Sequence, residues 1–257
     1  MSTHPVPTYT PGYSPGAVRF MARRTAATHA HFLLPHLTTG TRLLDLGCGP
    51  GTVTVGLAEV VAPGRVVGVD AAAGQAETAR AHAERCGAGN VEFESGDAAA
   101  LRFGPGAFDA VFAHALFEHL PDPLAVAREA YRVLAPSGVV GVCSPDWDGF
   151  LLAPADPRAD AAVAAYRTVQ TRAGGDTGAG RKLAGWLLGA GFTRVTTGAW
   201  YECYPDRKRI AEYLAARLDR ETDTAFSGLG DGLRAWADAP GALFAQAWVW
   251  AVGHRPA

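Results

Sequence analysis

The chain has 257 residues, of which 48% are hydrophobic and 19% charged. That length suffices to bury a core without metal or disulfide staples, and the composition excludes a disordered or collagen-like chain. A formal net charge of -2 gives no electrostatic footing for binding nucleic acid or an acidic membrane.

In chain order, the first helical signal covers 14–37, where Ser14 can cap and Pro15 suits the first turn. RLLDL (42–46) is a buried strand, ending in Gly47-Cys48-Gly49-Pro50-Gly51. A helix over 52–61 follows, closed by Pro63-Gly64. RVVGV (65–69) is a second strand with Asp70 at its end, and 72–86 a helix stopped by Gly87. Short strands are predicted at 91–94, 108–113 and 138–143, with a helix at 122–134 capped by Asp122. This alternation of strand and helix argues for a parallel sheet with helices on both faces. Beyond Ser144 the pattern loosens. Helices are predicted at 156–172 and 181–189, strands at 193–200 and 246–252, and a mostly helical stretch at 207–242. The segments 146–180 and 203–243 are expected to cap the C-terminal edge of the sheet, as part of a single domain. The core of that domain is 41–145, and residues 1–40 form a helical N-terminal segment.

LLDLGCGPGT (43–52) joins the first strand to the first sheet helix. In an open parallel sheet, ligands bind beyond the C-terminal strand ends, and glycines there let backbone approach a ligand. Asp70 is placed to accept hydrogen bonds from two ribose hydroxyls, and Asp97 and the Ala98 N–H to read an adenine edge. A dinucleotide would favour GxGxxG, whereas this loop reads GxGxG with Thr52 next. Asp45, just before the glycines, would repel a pyrophosphate but suits an ammonium or sulfonium group.

These segments together resemble the class I S-adenosylmethionine-dependent methyltransferases. LLDLGCGPGT is similar to their first motif, VVGVD (66–70) to the ribose-binding segment, and SGDAAAL (95–101) to the adenine-contacting one. FDAVFAHALFEHLPDP (108–123) resembles the strand-four region, and YRVLAPSGVVGV (131–142) the strand-five region, where many relatives have Pro-Gly-Gly instead of Pro136-Ser137-Gly138. GRKLAGWLLGAGFTRV (180–195) resembles the helix before strand six. The nearest type is the ubiquinone/menaquinone-biosynthesis-like group, which includes natural-product methyltransferases.

The resemblance implies an α/β, Rossmann-like seven-stranded sheet of order 3-2-1-4-5-7-6 with strand seven antiparallel. It implies S-adenosylmethionine as cofactor, S-adenosylhomocysteine as product, and a small-molecule substrate. Gly47, Gly49, Asp70, Asp97 and Ala98 would contact the cofactor, with Cys48, Ala71, Gln75 and Gly96 beside them. Asp45 would act through water on the methionine amino group, and His114 would face the methionine end. In such relatives the N-terminal segment often closes over the cofactor, which makes Tyr9, Tyr13 and Arg24 candidates, Arg24 for the methionine carboxylate.

His114 and His119 are candidate general bases for an acceptor that must lose a proton. The stretch HxxxEH is one residue longer than the inverted zinc-protease motif and starts on a strand, so no metal site is expected. Cys48, Cys86, Cys143 and Cys203 form no CxxC pair, residues 1–16 hold no signal-peptide-like apolar core, and no run reaches membrane-span length. A reduced, cytoplasmic chain is expected, a monomer or homodimer with neither nucleic-acid nor membrane partners. Two other readings stay open: a nicotinamide-dependent oxidoreductase on a similar sheet, and an S-adenosylmethionine-binding protein that does not methylate.

Overall fold

The computed structural model describes residues 12 and 14–257. Its centre is a seven-stranded sheet: β1 (Leu43–Leu46), β2 (Val66–Asp70), β3 (Val91–Ser95), β4 (Phe108–His114), β5 (Leu134–Ala153), β6 (Thr193–Cys203) and β7 (Leu243–His254). The order is β3-β2-β1-β4-β5-β7-β6. β1 to β5 pair in parallel, and β7 runs antiparallel between β5 and β6. The expected strand order and direction are those observed.

Nine α-helices surround the sheet among the described residues: α1 (Pro15–Met21), α2 (Ala26–His29), α3 (Thr52–Val61), α4 (Ala73–Cys86), α5 (Pro123–Val133), α6 (Pro157–Arg172), α7 (Leu183–Gly189), α8 (Arg207–Leu218) and α9 (Leu229–Ala237). Strand side chains alternate between the two faces. Leu44, Val111, Val140 and Ala251 pack with α5 and α7 on one face. Leu43, Ala110, Phe112 and Val252 pack with α2 and α3 on the other. α4 joins α3 on that second face through Val55, Ala79 and Phe93.

A separate core joins α6, α8 and α9 to the outer half of β5. Tyr166, Ile210, Leu214, Leu233 and Trp236 meet Trp147 and Phe244 there, and Phe20 of α1 enters the same cluster. This cap grows from strands rather than from loops. β5 runs from Leu134 to Ala153, far beyond the expected 138–143, because β7 accompanies it outward and pairs as far as Ala153 with Leu243. A register shift between Asp146 and Leu151 turns the arm where the cap begins.

The helix expected over 14–37 is also corrected. It breaks into α1, α2 and a 3-10 turn at Leu34–His36. Thr25 is extended and caps a new helix, with reciprocal hydrogen bonds between Thr25 and Thr28. The break leaves Arg23 and Arg24 in a turn instead of on a helix face.

Candidate active site

The turn after β1 is built by three left-handed glycines: Gly47 (φ 71°), Gly49 (φ 52°) and Gly51 (φ 79°). Residues with a Cβ adopt this conformation only at a cost. The three differ in what surrounds them. A Cβ on Gly51 would lie 2.7 Å from Ala79 Cβ, so this glycine lets α3 and α4 approach. A Cβ on Gly47 would lie 3.1 Å from Leu116 Cδ1. A Cβ on Gly49 would meet nothing within 4 Å, so the turn has an open face at its middle residue.

Asp70, at the end of β2, braces that turn. Its Oδ2 accepts from the Gly49 N–H at 2.9 Å and its Oδ1 from the Ala72 N–H at 2.9 Å. Burial pushes its pKa up, against the pull of those two donors. Asp45 is 2% exposed, and its Oδ2 accepts from the Thr54 hydroxyl at 2.6 Å. Burial, with Asp70 nearby, raises its pKa to about 7. Thr54, one turn into α3, was not singled out from sequence; a hydroxyl facing a buried acid across a strand-helix turn is its only signal. Burial also pushes the Cys48 thiol well up, so it is no thiolate at neutral pH.

Gly96 donates its backbone N–H to the Asp70 carbonyl at 3.0 Å, which sets Asp97 and Ala98 beside the end of β2. The Asp97 carboxylate is exposed and accepts from the Ala99 N–H at 2.8 Å. Ala71 is exposed, whereas Gln75 is buried and its Oε1 has no partner. Tyr9 and Tyr13 lie outside the described residues.

Past β4, Ala115 takes φ 55° and donates its N–H to the Cys143 carbonyl. A non-glycine residue in that region is strained, and such strain is held only where surroundings over-determine it. The strained exit turns residues 115–119 toward a cavity of about 50 Å³ between the strand ends and the cap. Ala115, Glu118 and Pro145 line it from the sheet, Tyr166, Gln170 and Tyr213 from the cap, and Phe20 and Arg24 from the N-terminal segment. Leu116, next to Ala115, is the residue against Gly47, so glycine turn and cavity meet at 115–116.

His119 lines the cavity and His114 does not. The His114 ring is buried, 4.5 Å from the Trp248 ring and 4.9 Å from the His29 ring, and its Nε2 has no partner. Both expected bases are weak ones. Burial, with Arg24 nearby, pulls His114 well below the usual histidine range and His119 to about 3. The carboxyl of Glu118 stands in better protonic balance: burial raises its pKa to about 7, and its Oε2 accepts from Ser144 at 2.7 Å.

Arg23 and Arg24 part ways. Arg23 pairs with Glu202 of β6 and stacks over Phe20 and Tyr204, at 4.4 and 4.6 Å from the ring centroids. Glu202 also accepts from Tyr204 (2.9 Å) and from Trp248 Nε1 (3.0 Å). Arg24 has no ion pair among the described residues; its Nε is buried without a partner, and its guanidinium lies 5.3 Å from the Trp248 ring centroid. Glu202, which gathers these groups behind the cavity wall, was not singled out from sequence. Its signal is a lone acid in the otherwise aromatic segment WYECY. Among the described residues, no group of three or more His, Cys, Asp or Glu is placed to hold a metal ion, and no helix is long and apolar enough to cross a membrane.

A family profile described as a methyltransferase domain matches residues 43–138. An uncharacterized methyltransferase of Schizosaccharomyces pombe is 30% identical over 208 residues, covering 77% of this chain and 74% of that protein. An uncharacterized protein in a transposon of Streptomyces fradiae is 35% identical over 189 residues, covering 73% of this chain and 53% of its own length. The chain spans about half the length of the first curated relatives it matches. Among solved structures, the YcgJ protein from Bacillus subtilis superposes with a TM-score of 0.64 at 19% identity, over 89% of this chain and 100% of that one. That likeness is one of fold.

Proposed function

Because the chain belongs to the class I S-adenosylmethionine-dependent methyltransferases, we propose that it transfers a methyl group from S-adenosylmethionine to a small hydrophobic or aromatic acceptor. The observation that carries this reading is the open face at Gly49, braced by Asp70, in a turn whose Gly47 meets Leu116 at the edge of an aromatic-lined cavity. The residues present fit the donor. Gly49 leaves room for a ligand against backbone, and the buried atoms Gln75 Oε1, His114 Nε2 and Arg24 Nε lack hydrogen-bond partners among the described residues. When bound, S-adenosylmethionine supplies an electrophilic methyl on a sulfonium.

Asp70 would accept from the ribose hydroxyls while holding Gly49 and Ala72. Asp97 and the Ala98 N–H would read the adenine edge, with Gly96 setting their place and Cys48 and Ala71 beside them. Arg24 would pair with the carboxylate of the methionine part, which gives a half-buried cation its counter-charge. Asp45 would face the amino group through water, fixed by Thr54. His114, neutral and pressed on Trp248, would present Nε2 as a donor or acceptor without changing charge. The cap and the N-terminal segment would exclude water and align the acceptor, which is the main demand of an in-line displacement that disperses charge.

The test is a thermal shift with S-adenosylmethionine, S-adenosylhomocysteine and NADH on wild type and Asp70→Ala. Ligand at about 100 times its Kd should add roughly 2.7 kcal/mol, a rise of roughly 5–10 °C for a chain this size. The expected result is a shift with both adenosyl ligands that Asp70→Ala abolishes. A shift with NADH alone would overturn the reading.

A further inference from the structure

The cavity holds one carboxyl group that the reading above leaves without work. Glu118 is 3% exposed and lines the cavity beneath the cap. Three contacts hold its position: Ser144 donates to Oε2, and its backbone carbonyl accepts from the Asp176 N–H (2.9 Å) and from Gln170 Nε2 (3.2 Å). Its Oε1 lies 3.7 Å from His119 Nε2, beyond hydrogen-bond distance. A strand exit, a second strand and the cap thus converge on one acid, and burying it needs a compensating partner.

The rest of the cavity says what that partner is. Phe20, Trp147, Tyr166, Tyr213 and Trp248 make flat apolar walls. Arg24 adds a cation in the same space. A flat aromatic ring satisfies the walls. An ammonium group would suit a carboxylate but would stand against the sulfonium of the donor, Arg24 being paired with the donor's own carboxylate. A hydroxyl on the ring avoids that conflict, and the negative charge that grows as it loses its proton is favoured by the sulfonium.

Resting on the methyl-transfer reading, we propose that Glu118 binds the hydroxyl of a phenol-like acceptor and takes its proton, so that the reaction is O-methylation of a hydroxylated aromatic ring. The O–H proton passes to Glu118 Oε1. The oxygen's electron pair forms the bond to the methyl carbon, whose bond to sulfur breaks and leaves its pair on sulfur. The proton on Glu118 returns to water when product leaves. The carboxyl suits this exchange near neutral pH, since burial raises its pKa to about 7 while Ser144, its own backbone N–H and Arg24 pull it down. His119 on the same turn, Cys143 and Ser144 of β5, Tyr213 of α8 and Arg24 are the polar groups around it.

The experiment measures binding rather than turnover. With S-adenosylhomocysteine saturating, 3-nitrophenol, which keeps its proton at neutral pH, and 3-nitroanisole are titrated against the fluorescence of the protein, which Trp147 and Trp248 report. Wild type is expected to bind the phenol at least about tenfold more tightly, the worth of a hydrogen bond to a charged group. Glu118→Gln is expected to bring the two probes within about twofold. Glu118→Asp, which withdraws the carboxylate by one methylene, is the second variant and is expected to lose preference too. Equal affinities in wild type, no quenching by the phenol, or a preference that survives in a folded variant would each overturn the proposal. A thermal shift with S-adenosylhomocysteine alone, on the same samples, separates these outcomes from failure of the methyl-transfer reading.

Discussion

Asp45 binds its proton more tightly in the folded chain than in the unfolded one, because burial moves its pKa from 3.8 to about 7. A raised folded-state pKa contributes stability fully below the unfolded value and loses it as pH climbs through the folded one. Asparagine carries no such charge. The unfolding free energy of Asp45→Asn, minus that of wild type, is therefore expected to rise by roughly 2–3 kcal/mol between pH 5 and pH 8. The buried histidines titrate in both proteins and cancel in the difference, which urea melts at the two pH values will read. The glycines make a second contrast at this scale. Gly51→Ala combines a left-handed backbone with a Cβ 2.7 Å from Ala79, and roughly 2–4 kcal/mol of stability should be lost. Gly49→Ala carries the backbone cost alone, about 1–2 kcal/mol. It should nevertheless abolish the thermal shift with S-adenosylhomocysteine, because its new methyl occupies the open face. If Gly49→Ala still shows the full shift, the ligand is not seated there.

At the scale of elements, one acid ties the N-terminal segment to the sheet. Glu202 of β6 gathers Arg23, Tyr204 and Trp248, and His29 Nε2 lies 3.5 Å away. These contacts hold its carboxyl well below the usual range, so it stays charged. Glu202→Ala would leave Arg23 partly buried without its partner, at a cost of roughly 3 kcal/mol. Faster amide exchange confined to 15–29 is the expected signature; unchanged exchange there would show that packing of Phe20 suffices. This contact joins residues far apart in sequence, and for that reason no local pattern foretold it. The sheet was legible because LLDL, VVGVD and FDAVFAH are short apolar runs between turn signals, and because the glycines and Asp70 fall at strand ends. The broken helix at 14–37 was not, since its periodicity runs on through Arg23 and Arg24 and only the Thr25–Thr28 exchange stops it. His114 and His119 were legible as residue types but their low basicity was not, because depth of burial decides a histidine's pKa and sequence does not give depth.

Across the whole molecule, N-terminal segment and cap share a core. Phe20 stacks on Tyr213 of α8 at 4.2 Å and on Tyr204 at 5.8 Å between ring centroids. Two segments that pack on the same ring should open together. Adenosyl ligands are expected to slow amide exchange over 15–29 and 207–218 in step, and Phe20→Ala to confine the protection to the first. Protection of both segments in the variant would show coupling by another route.

The outward arm of β5 and β7 separates two kinds of constraint. On the proposed reading, the residues that would hold the donor come from the inner sheet and the turn at Arg24, while much of the cavity wall hangs on strands that have outrun their parallel neighbours. The segment that carries α6 leaves the end of β5 at Ala153 and returns beside it, where the Trp147 N–H donates to the Thr177 carbonyl. Its length and side chains can be redrawn without moving a glycine of the turn. The molecule is thus a fixed handle with an exchangeable bit, and a chimera that carried another such segment would inherit a new acceptor and keep its old donor.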